Sequence, residues 1–147
     1  MVAATEASPL SARTGYRLIK LGELVMARAE TALGALGVKP RHFNVLTTAA
    51  ADPSLSQREL SRVLGIDPNV MVGVIDDLEA AGLATRQRSS TDRRRHIVVV
   101  TEDGYRLIAR GNEAVAAAER EFLSSLSPDD LATLHSVAGR LIGLNEG

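Results

Sequence analysis

An arginine-rich segment between two short apolar runs is the part of the chain with the clearest chemical potential. Residues 83–86 and 96–100 have β-strand character, and the residues 89–92 between them form a turn-prone tip. Five arginines and one aspartate lie in this segment: Arg86, Arg88, Arg93, Arg94, Arg95 and Asp92. Guanidinium groups bind phosphate well and are poor material for a hydrophobic core. The sequence therefore predicts a protruding basic hairpin that contacts DNA.

Composition limits the class of protein that could carry such a hairpin. The 147 residues have a net charge of −1, so any positive potential must be local rather than general. Aromatic residues make up only 3% of the chain, which favours a helical core of aliphatic side chains. Cysteine is absent, which excludes disulfides and thiol chemistry. Because no signal-peptide pattern or membrane-spanning apolar run occurs, we expect a cytoplasmic protein without membrane contact.

Two long helices are predicted outside the hairpin. From Leu10 to about Leu36 apolar residues recur at helical spacing and occupy more than one face, so the helix needs neighbours on two sides. A second subunit could supply one of them. After the hairpin, a helix should begin at Thr101 and continue to about Leu126. A last amphipathic helix should start at Ser127.

Two short helices joined by a tight turn precede the hairpin. Ser56 and Glu59 have the spacing of a capping box, which predicts a helix that ends at Gly65. Asp67 and Pro68 then suit the N-cap and first position of a second helix. This order is typical of a helix-turn-helix. A further short helix over residues 41–50 should bury Phe43 as a core residue.

The elements together predict a mainly α (α+β) fold in which long N- and C-terminal helices flank a helix-turn-helix and a basic hairpin. The predicted organisation is a disordered tail at 1–9, helical regions at 10–37 and 105–147, and a lobe at 38–104 that contains the helix-turn-helix at 56–82 and the hairpin at 83–100.

This chain resembles the MarR family of bacterial winged-helix regulators over roughly residues 10–144. Residues 38–46, Val-Lys-Pro-Arg-His-Phe-Asn-Val-Leu, are similar to the family's second helix, usually Leu-Thr-Pro-x-Gln-Phe-x-Val-Leu. Residues 57–67 resemble its first motif helix and turn. Residues 92–94, a valine-rich strand and residues 101–104 resemble its wing and exit.

The resemblance implies a winged helix-turn-helix with long N- and C-terminal dimerisation helices, in which residues 10–37 and 105–147 form the dimerisation region, residues 38–104 the DNA-binding lobe and residues 83–100 the wing. It implies a homodimer with interlocked terminal helices that binds double-stranded DNA at a pseudo-palindromic operator. It implies a recognition helix in the major groove, a wing in the minor groove, and repression relieved by a small phenolic or other aromatic effector. The sequence contains no catalytic motif and no cluster of metal-ligating residues, so we expect no catalytic residue, metal or cofactor. The chain is thus not expected to be an enzyme.

The predicted DNA-binding residues come from both motif helices and the wing. Arg94 matches the family's wing arginine, and Asp92 can either pin the turn or orient that arginine by a charge-assisted hydrogen bond. In the recognition helix, Val72 and Gly73 occupy positions where the family typically has polar or basic side chains that contact bases. We therefore expect the wing to contribute a larger share of DNA binding. The full predicted set is Ser56, Gln57, Arg58, Pro68, Asn69, Val70, Val72, Gly73, Arg86, Arg88, Asp92, Arg93, Arg94 and Arg95.

Several alternatives remain open at this stage. A ligand pocket could use Arg13, Tyr16, Arg17 and His42, or His42 could be an ordinary half-exposed helix residue. The acidic residues Asp76 and Asp77 should face solvent or pair with nearby arginine rather than touch DNA. The apolar recognition helix also suits a winged-helix protein-interaction module, and an activator without a ligand is compatible with the same sequence.

Overall fold

The fold, taken from a computed structural model, is described here for residues 9–145. The tail predicted at 1–9 therefore lies outside the described residues except for Pro9, which begins a short 3-10 helix, Pro9–Ala12. The remaining elements are α1 Thr14–Gly34, α2 Pro40–Ala51, α3 Gln57–Leu64, α4 Pro68–Ala80, β1 Ala84–Arg88, β2 His96–Val100, α5 Glu102–Phe122 and α6 Pro128–Asn145. The mainly helical winged helix-turn-helix predicted from the sequence is confirmed.

Two helix ends differ from the predicted ones. The first helix begins at Thr14 rather than Leu10, because the backbone N–H of Arg13 bonds three residues back to Leu10 and forms a 3-10 turn. The fifth helix ends at Phe122 rather than near Leu126. Serines at 124 and 125 are weaker helix formers than the alanines before them, and the chain turns there before α6.

The helix-turn-helix is defined by its caps. Ser56 accepts from the backbone N–H of Glu59, and the Glu59 carboxylate accepts from the backbone N–H of Ser56, which completes the capping box. Gly65 ends α3 with a φ of 63°, a conformation that residues with a Cβ adopt reluctantly. The Asp67 carboxylate then accepts from the backbone N–H of Asn69 at 2.8 Å and starts α4.

A single apolar core holds these helices and the hairpin together. Leu46 on α2, Leu60 on α3 and Ile75 on α4 are fully buried, and Val98 of β2 joins them. Phe43 is also a core residue, as predicted. Burial of side chains of this size stabilises the fold by about 1.5–3 kcal/mol each. The core therefore fixes the outer face of α4 and the base of the hairpin in one rigid lobe.

The described chain divides into two compact units, residues 29–115 and residues 9–28 together with 116–145. The first unit contains the core, the helix-turn-helix and the hairpin. In the second unit α6 has no buried residue, and α1 exposes large apolar side chains such as Leu18 and Ile19. Within residues 9–145 no helix is long and apolar enough to cross a membrane.

The hairpin is a two-stranded antiparallel ribbon in which Arg86 lies opposite Val98 and Arg88 lies opposite His96. At its base, the Thr101 hydroxyl donates to the carbonyl oxygen of Gly82 at 2.7 Å and accepts from the backbone N–H of Gly104. Thr101 thereby closes the ribbon and caps α5 with the same side chain.

Candidate nucleic-acid interface

The tip of the hairpin is closed by its own short polar side chains. The buried Ser89 hydroxyl accepts from the backbone N–H groups of Thr91 and Asp92. The backbone N–H of Ser89 donates to the carbonyl oxygen of Arg95 at 2.9 Å. The backbone N–H of Arg95 donates to the carbonyl oxygen of Asp92 at 3.0 Å. The turn therefore has a definite shape that holds the residues beside it.

Arg94 is presented to solvent beside this tip, with a side chain that is 91% exposed. Its backbone N–H and its Nε donate to Asp92 Oδ1 at 3.0 and 3.2 Å. The backbone hydrogen bond, followed by the guanidinium of Arg94 and the charge of Arg95, lowers the pKa of the Asp92 carboxyl below its usual value. Asp92 is thus a carboxylate that orients a guanidinium towards solvent, as the sequence predicts.

Arg95 fastens the hairpin to α3. Its guanidinium lies 2.7 Å from Glu59 Oε2, the oxygen that also accepts from the backbone N–H of Ser56. The pKa of Glu59 is lowered first by that backbone N–H, then by the Ser56 hydroxyl, and then by Arg95. Ser56 also forms an isolated antiparallel bridge with Ile97 of β2. The Arg95–Glu59 ion pair and the Ser56–Ile97 bridge therefore both join the start of α3 to the hairpin.

Arg86 has a different environment from the one that the sequence suggests. Its guanidinium contacts Glu79, lies 2.7 Å from Asp76 Oδ1 and donates at 3.0 Å to the carbonyl oxygen of Val72, all on α4. Its Nε donates at 2.9 Å to Gln57 Oε1 on α3. All of its guanidinium nitrogens are thus directed at protein acceptors.

The outer face of α4 is apolar and acidic. Its exposed residues include Asn69, Val70, Val72 and Gly73. The sequence of α4 contains no lysine or arginine. Each member of the acidic pair has one of the two predicted environments, because Asp76 pairs with an arginine and the Asp77 side chain is 67% exposed. Asp76 pairs with Arg86, whereas Asp77 accepts from His42 Nε2 on α2 at 2.8 Å rather than from an arginine.

These elements surround one open cleft between α3, α4 and the hairpin. Nine of the fourteen predicted DNA-binding residues line it, namely Ser56, Gln57, Arg58, Pro68, Asn69, Val72, Asp92, Arg94 and Arg95. The other five, Val70, Gly73, Arg86, Arg88 and Arg93, do not line it.

Sequence reasoning missed one prominent cation of the cleft. Arg62 lies on α3 one turn after Arg58, and both side chains line the cleft. Their i, i+4 spacing on a helix that starts at a recognised cap could have identified Arg62. Four arginines and two carboxylates line the cleft in total, so it is a positive surface shaped to receive a polyanion.

Comparison with known proteins agrees with this geometry. Residues 36–95 match the model of the MarR family. A protein named for transcriptional regulation of the hcr operon in Thauera aromatica is 32% identical over 134 residues, which is 90% of this chain and 80% of that protein. The chain belongs to the MarR family. It is a transcriptional regulator of the MarR type and not an enzyme, as its sequence predicts.

Other MarR-type relatives carry more specific names. The transcriptional repressor Rv2887 of Mycobacterium tuberculosis is 31% identical over 113 residues, 77% of this chain and 81% of that protein. The repressor CouR bound to a 23-mer DNA duplex superposes with a TM-score of 0.80 at 31% identity, covering 90% and 94% of the two chains. CouR from Rhodococcus jostii RHA1 bound to p-coumaroyl-CoA gives 0.75 at 27% identity, covering 92% and 95%.

The residues predicted to bind a ligand are distributed over both units of this MarR-family chain. Arg13, Tyr16 and Arg17 belong to the unit of residues 9–28 and 116–145, and the Arg17 Nε donates to the carbonyl oxygen of Ser11. His42 belongs to the other unit and is mostly buried. Its Nδ1 is a buried polar atom without a hydrogen-bond partner among the described residues. Residues 9–145 contain no His, Cys, Asp and Glu group able to hold a metal.

Proposed function

We propose that this MarR-family chain is a cytoplasmic homodimeric repressor that binds a pseudo-palindromic operator in double-stranded DNA. The cleft described above carries the proposal, because it combines the start of α3, the outer face of α4 and the oriented Arg94 in one positive surface. The relatives named as repressors, and the DNA duplex bound by CouR, support the same assignment.

The proposed docking follows from the shapes of these elements. A helix fits the major groove of B-DNA, and α4 offers its exposed first turns, with Asn69 and Val72, to that groove. The hairpin then reaches along the backbone, where Arg94 can enter the narrow, electronegative minor groove. Arg58 and Arg62 at the cleft wall are suited to phosphate.

A second copy of the chain is the proposed partner of the apolar helices. Exposed large apolar residues recur on both terminal helices: Leu18, Ile19, Leu21, Leu24, Val25 and Met26 on α1, and Leu131, Leu134, Val137, Leu141, Ile142 and Leu144 on α6. Such a large exposed apolar surface is typical of an interface that is covered in the assembled protein. Two copies would also supply the two recognition helices that a two-fold operator needs.

A small aromatic effector is proposed to regulate this binding. The p-coumaroyl-CoA bound by CouR supports an aromatic ligand class. Arg13, Tyr16 and Arg17 remain proposed contacts on the helical unit, with arginine available for an acidic group and tyrosine for a ring. His42 remains a proposed contact on the other unit. The ligand must bind more tightly to the protein conformation that has the lower DNA affinity. A ligand that bound both conformations equally would leave their populations, and therefore DNA binding, unchanged.

Selection of bound fragments from the host genome tests the operator proposal. Recovery of two related half-sites about 34–36 Å apart is expected for a dimer that spans successive major grooves. Arg94→Ala should weaken binding to a recovered fragment and leave sedimentation as a dimer unchanged. Unchanged affinity of this variant would remove the wing assignment. No complex even at low salt, together with a co-purifying protein, would instead favour a protein-interaction module.

Titration with p-coumaroyl-CoA and with free p-coumaric acid tests the regulatory part separately. Loss of affinity for the recovered fragment on addition of either compound is expected. If the affinity for the DNA fragment stays constant up to saturating concentrations of both compounds, control of DNA binding by small aromatic ligands of this class is contradicted. The DNA-binding proposal itself would be unaffected.

A further inference from the structure

The outer face of α4 lacks the groups that usually read guanine. We propose that Val72 instead recognises the 5-methyl group of a thymine, so that each half-site has a preferred thymine beneath the first turns of the recognition helix. This inference rests on the proposed DNA binding by α4 and goes beyond it by assigning a base and a contact.

The position of Val72 supports this role. Its spacing from Asn69, Gly73 and Asp76 puts all four on one side of α4, opposite the buried Met71 and Leu78. Val72 is 45% exposed although it is aliphatic, and it lines the same cleft as Arg94. An isopropyl group directed into the proposed groove has one apolar partner among the base edges, which is the thymine methyl.

The basic side chain closest to this face is already engaged. A guanine is usually recognised by an arginine that makes two hydrogen bonds to its O6 and N7 atoms, but the sequence of α4 contains no arginine. Arg86 approaches the face from β1, where it donates to the Val72 carbonyl oxygen and pairs with Asp76. Those contacts hold its guanidinium against the helix, and they also compensate the charge of Asp76 on this face.

Gly73 completes the arrangement. A Cβ placed there would meet no atom within 4 Å beyond its chain neighbours and the backbone of its own helix, so this side of Val72 is open. The backbone beside Val72 can therefore approach the groove floor more closely than a helix with a side chain at that position. Close approach is needed because an isopropyl group is short compared with an arginine or glutamine.

The test uses the duplex that the protein recovers from a random library. Each thymine in its half-sites is replaced, one at a time, by deoxyuridine, which pairs identically and lacks only the methyl group. Burial of one methyl group corresponds to roughly a fourfold change in affinity, and to roughly fifteenfold when both half-sites are changed. We expect such a loss at one thymine per half-site.

A pair of valine variants tests whether Val72 is the residue that contacts the thymine methyl group. Val72→Ala should bind the thymine and deoxyuridine duplexes equally, whereas Val63→Ala should discriminate as the parent does. Val63 is a matched control because it lies on α3, is 62% exposed and is outside the cleft. Equal binding of both duplexes by the parent, or discrimination that survives Val72→Ala, would overturn the inference while operator binding itself stands. Failure to recover any duplex would overturn both proposals.

Discussion

Arg86 on β1 and Asp76 on α4 are joined by an ion pair with 2.7 Å between Nη1 and Oδ1. The same guanidinium reaches Glu79 and the Val72 carbonyl oxygen on α4, and Gln57 on α3. The Arg86 side chain is only 22% exposed. One side chain of the hairpin thus sets the positions of both motif helices, which makes Arg86 a positioning residue in the proposed interface.

Replacement of Arg86 by methionine should therefore weaken DNA binding indirectly. We expect a loss of roughly 1–3 kcal/mol in the free energy of unfolding and about tenfold or more in affinity for the selected operator. The slope of log affinity against log salt should stay the same, because no phosphate contact is removed. Fluorescence anisotropy over a salt series, with thermal unfolding alongside, measures both quantities.

Arg94→Ala is the control for that experiment, since it should reduce the salt slope by about one and leave the unfolding temperature unchanged. A slope reduced equally by Arg86→Met would show that Arg86 contacts phosphate after all, as the sequence predicts, and would contradict the positioning role.

Removal of the Asp92 side chain should lower DNA affinity even though it removes a negative charge from a DNA-binding surface. The Asp92 carboxylate accepts hydrogen bonds from the backbone N–H and the Nε of Arg94. Asp92→Ala therefore frees the Arg94 guanidinium to adopt many orientations. A loss of about three- to tenfold is expected. In an Arg94→Ala background the same substitution should have no effect or raise the affinity. A gain in affinity in the parent background would mean that simple repulsion outweighs orientation.

Stability should depend on pH through Glu59. Its pKa is lowered in the folded chain by the backbone N–H of Ser56, by the Ser56 hydroxyl and by Arg95. A lowered folded-state pKa gives stability that is fully present above the unfolded value and is lost as the pH falls through the folded value. Urea unfolding of the parent and of Glu59→Gln should therefore differ most near neutral pH and converge below the model-peptide value of 4.5. A difference that stays constant down to pH 3 would mean that the charge of Glu59 is not involved.

Much of the fold could be predicted because its boundaries depend on local chemistry. The capping box at Ser56, the glycine at 65 and the Asp67 N-cap each act within four residues of their own position, and the structure confirms all three. The core residue Phe43 was likewise predictable from helical spacing. The contact of its ring with Gly111 on α5 was not, because it joins residues far apart in the sequence.

The site was harder to predict, for a related reason. Arg86 and Arg88 are two residues apart on one strand and share a face, so alternation cannot separate them. Only the position of Arg86 over α4, beside two carboxylates seven and ten residues earlier in the chain, distinguishes it as a half-buried link between the hairpin and that helix. Arg88 remains exposed. A run of arginines therefore predicts a basic hairpin but not which arginines are available to a ligand.

Gly73 offers a test that separates stability from DNA approach. Because a Cβ at this helical position would meet no atom within 4 Å, Gly73→Ala should raise the free energy of unfolding by about 0.5–1 kcal/mol. In the proposed complex the added methyl group would stand between α4 and the groove floor, so operator affinity should fall. Gly104→Ala is the contrasting variant, since its Cβ would overlap the carbonyl oxygen of Leu83 and should destabilise the fold by about 1–3 kcal/mol. Calorimetry and operator titration of both variants measure the two effects, and unchanged affinity of the stabilised Gly73→Ala protein would mean that this face of α4 does not approach DNA closely.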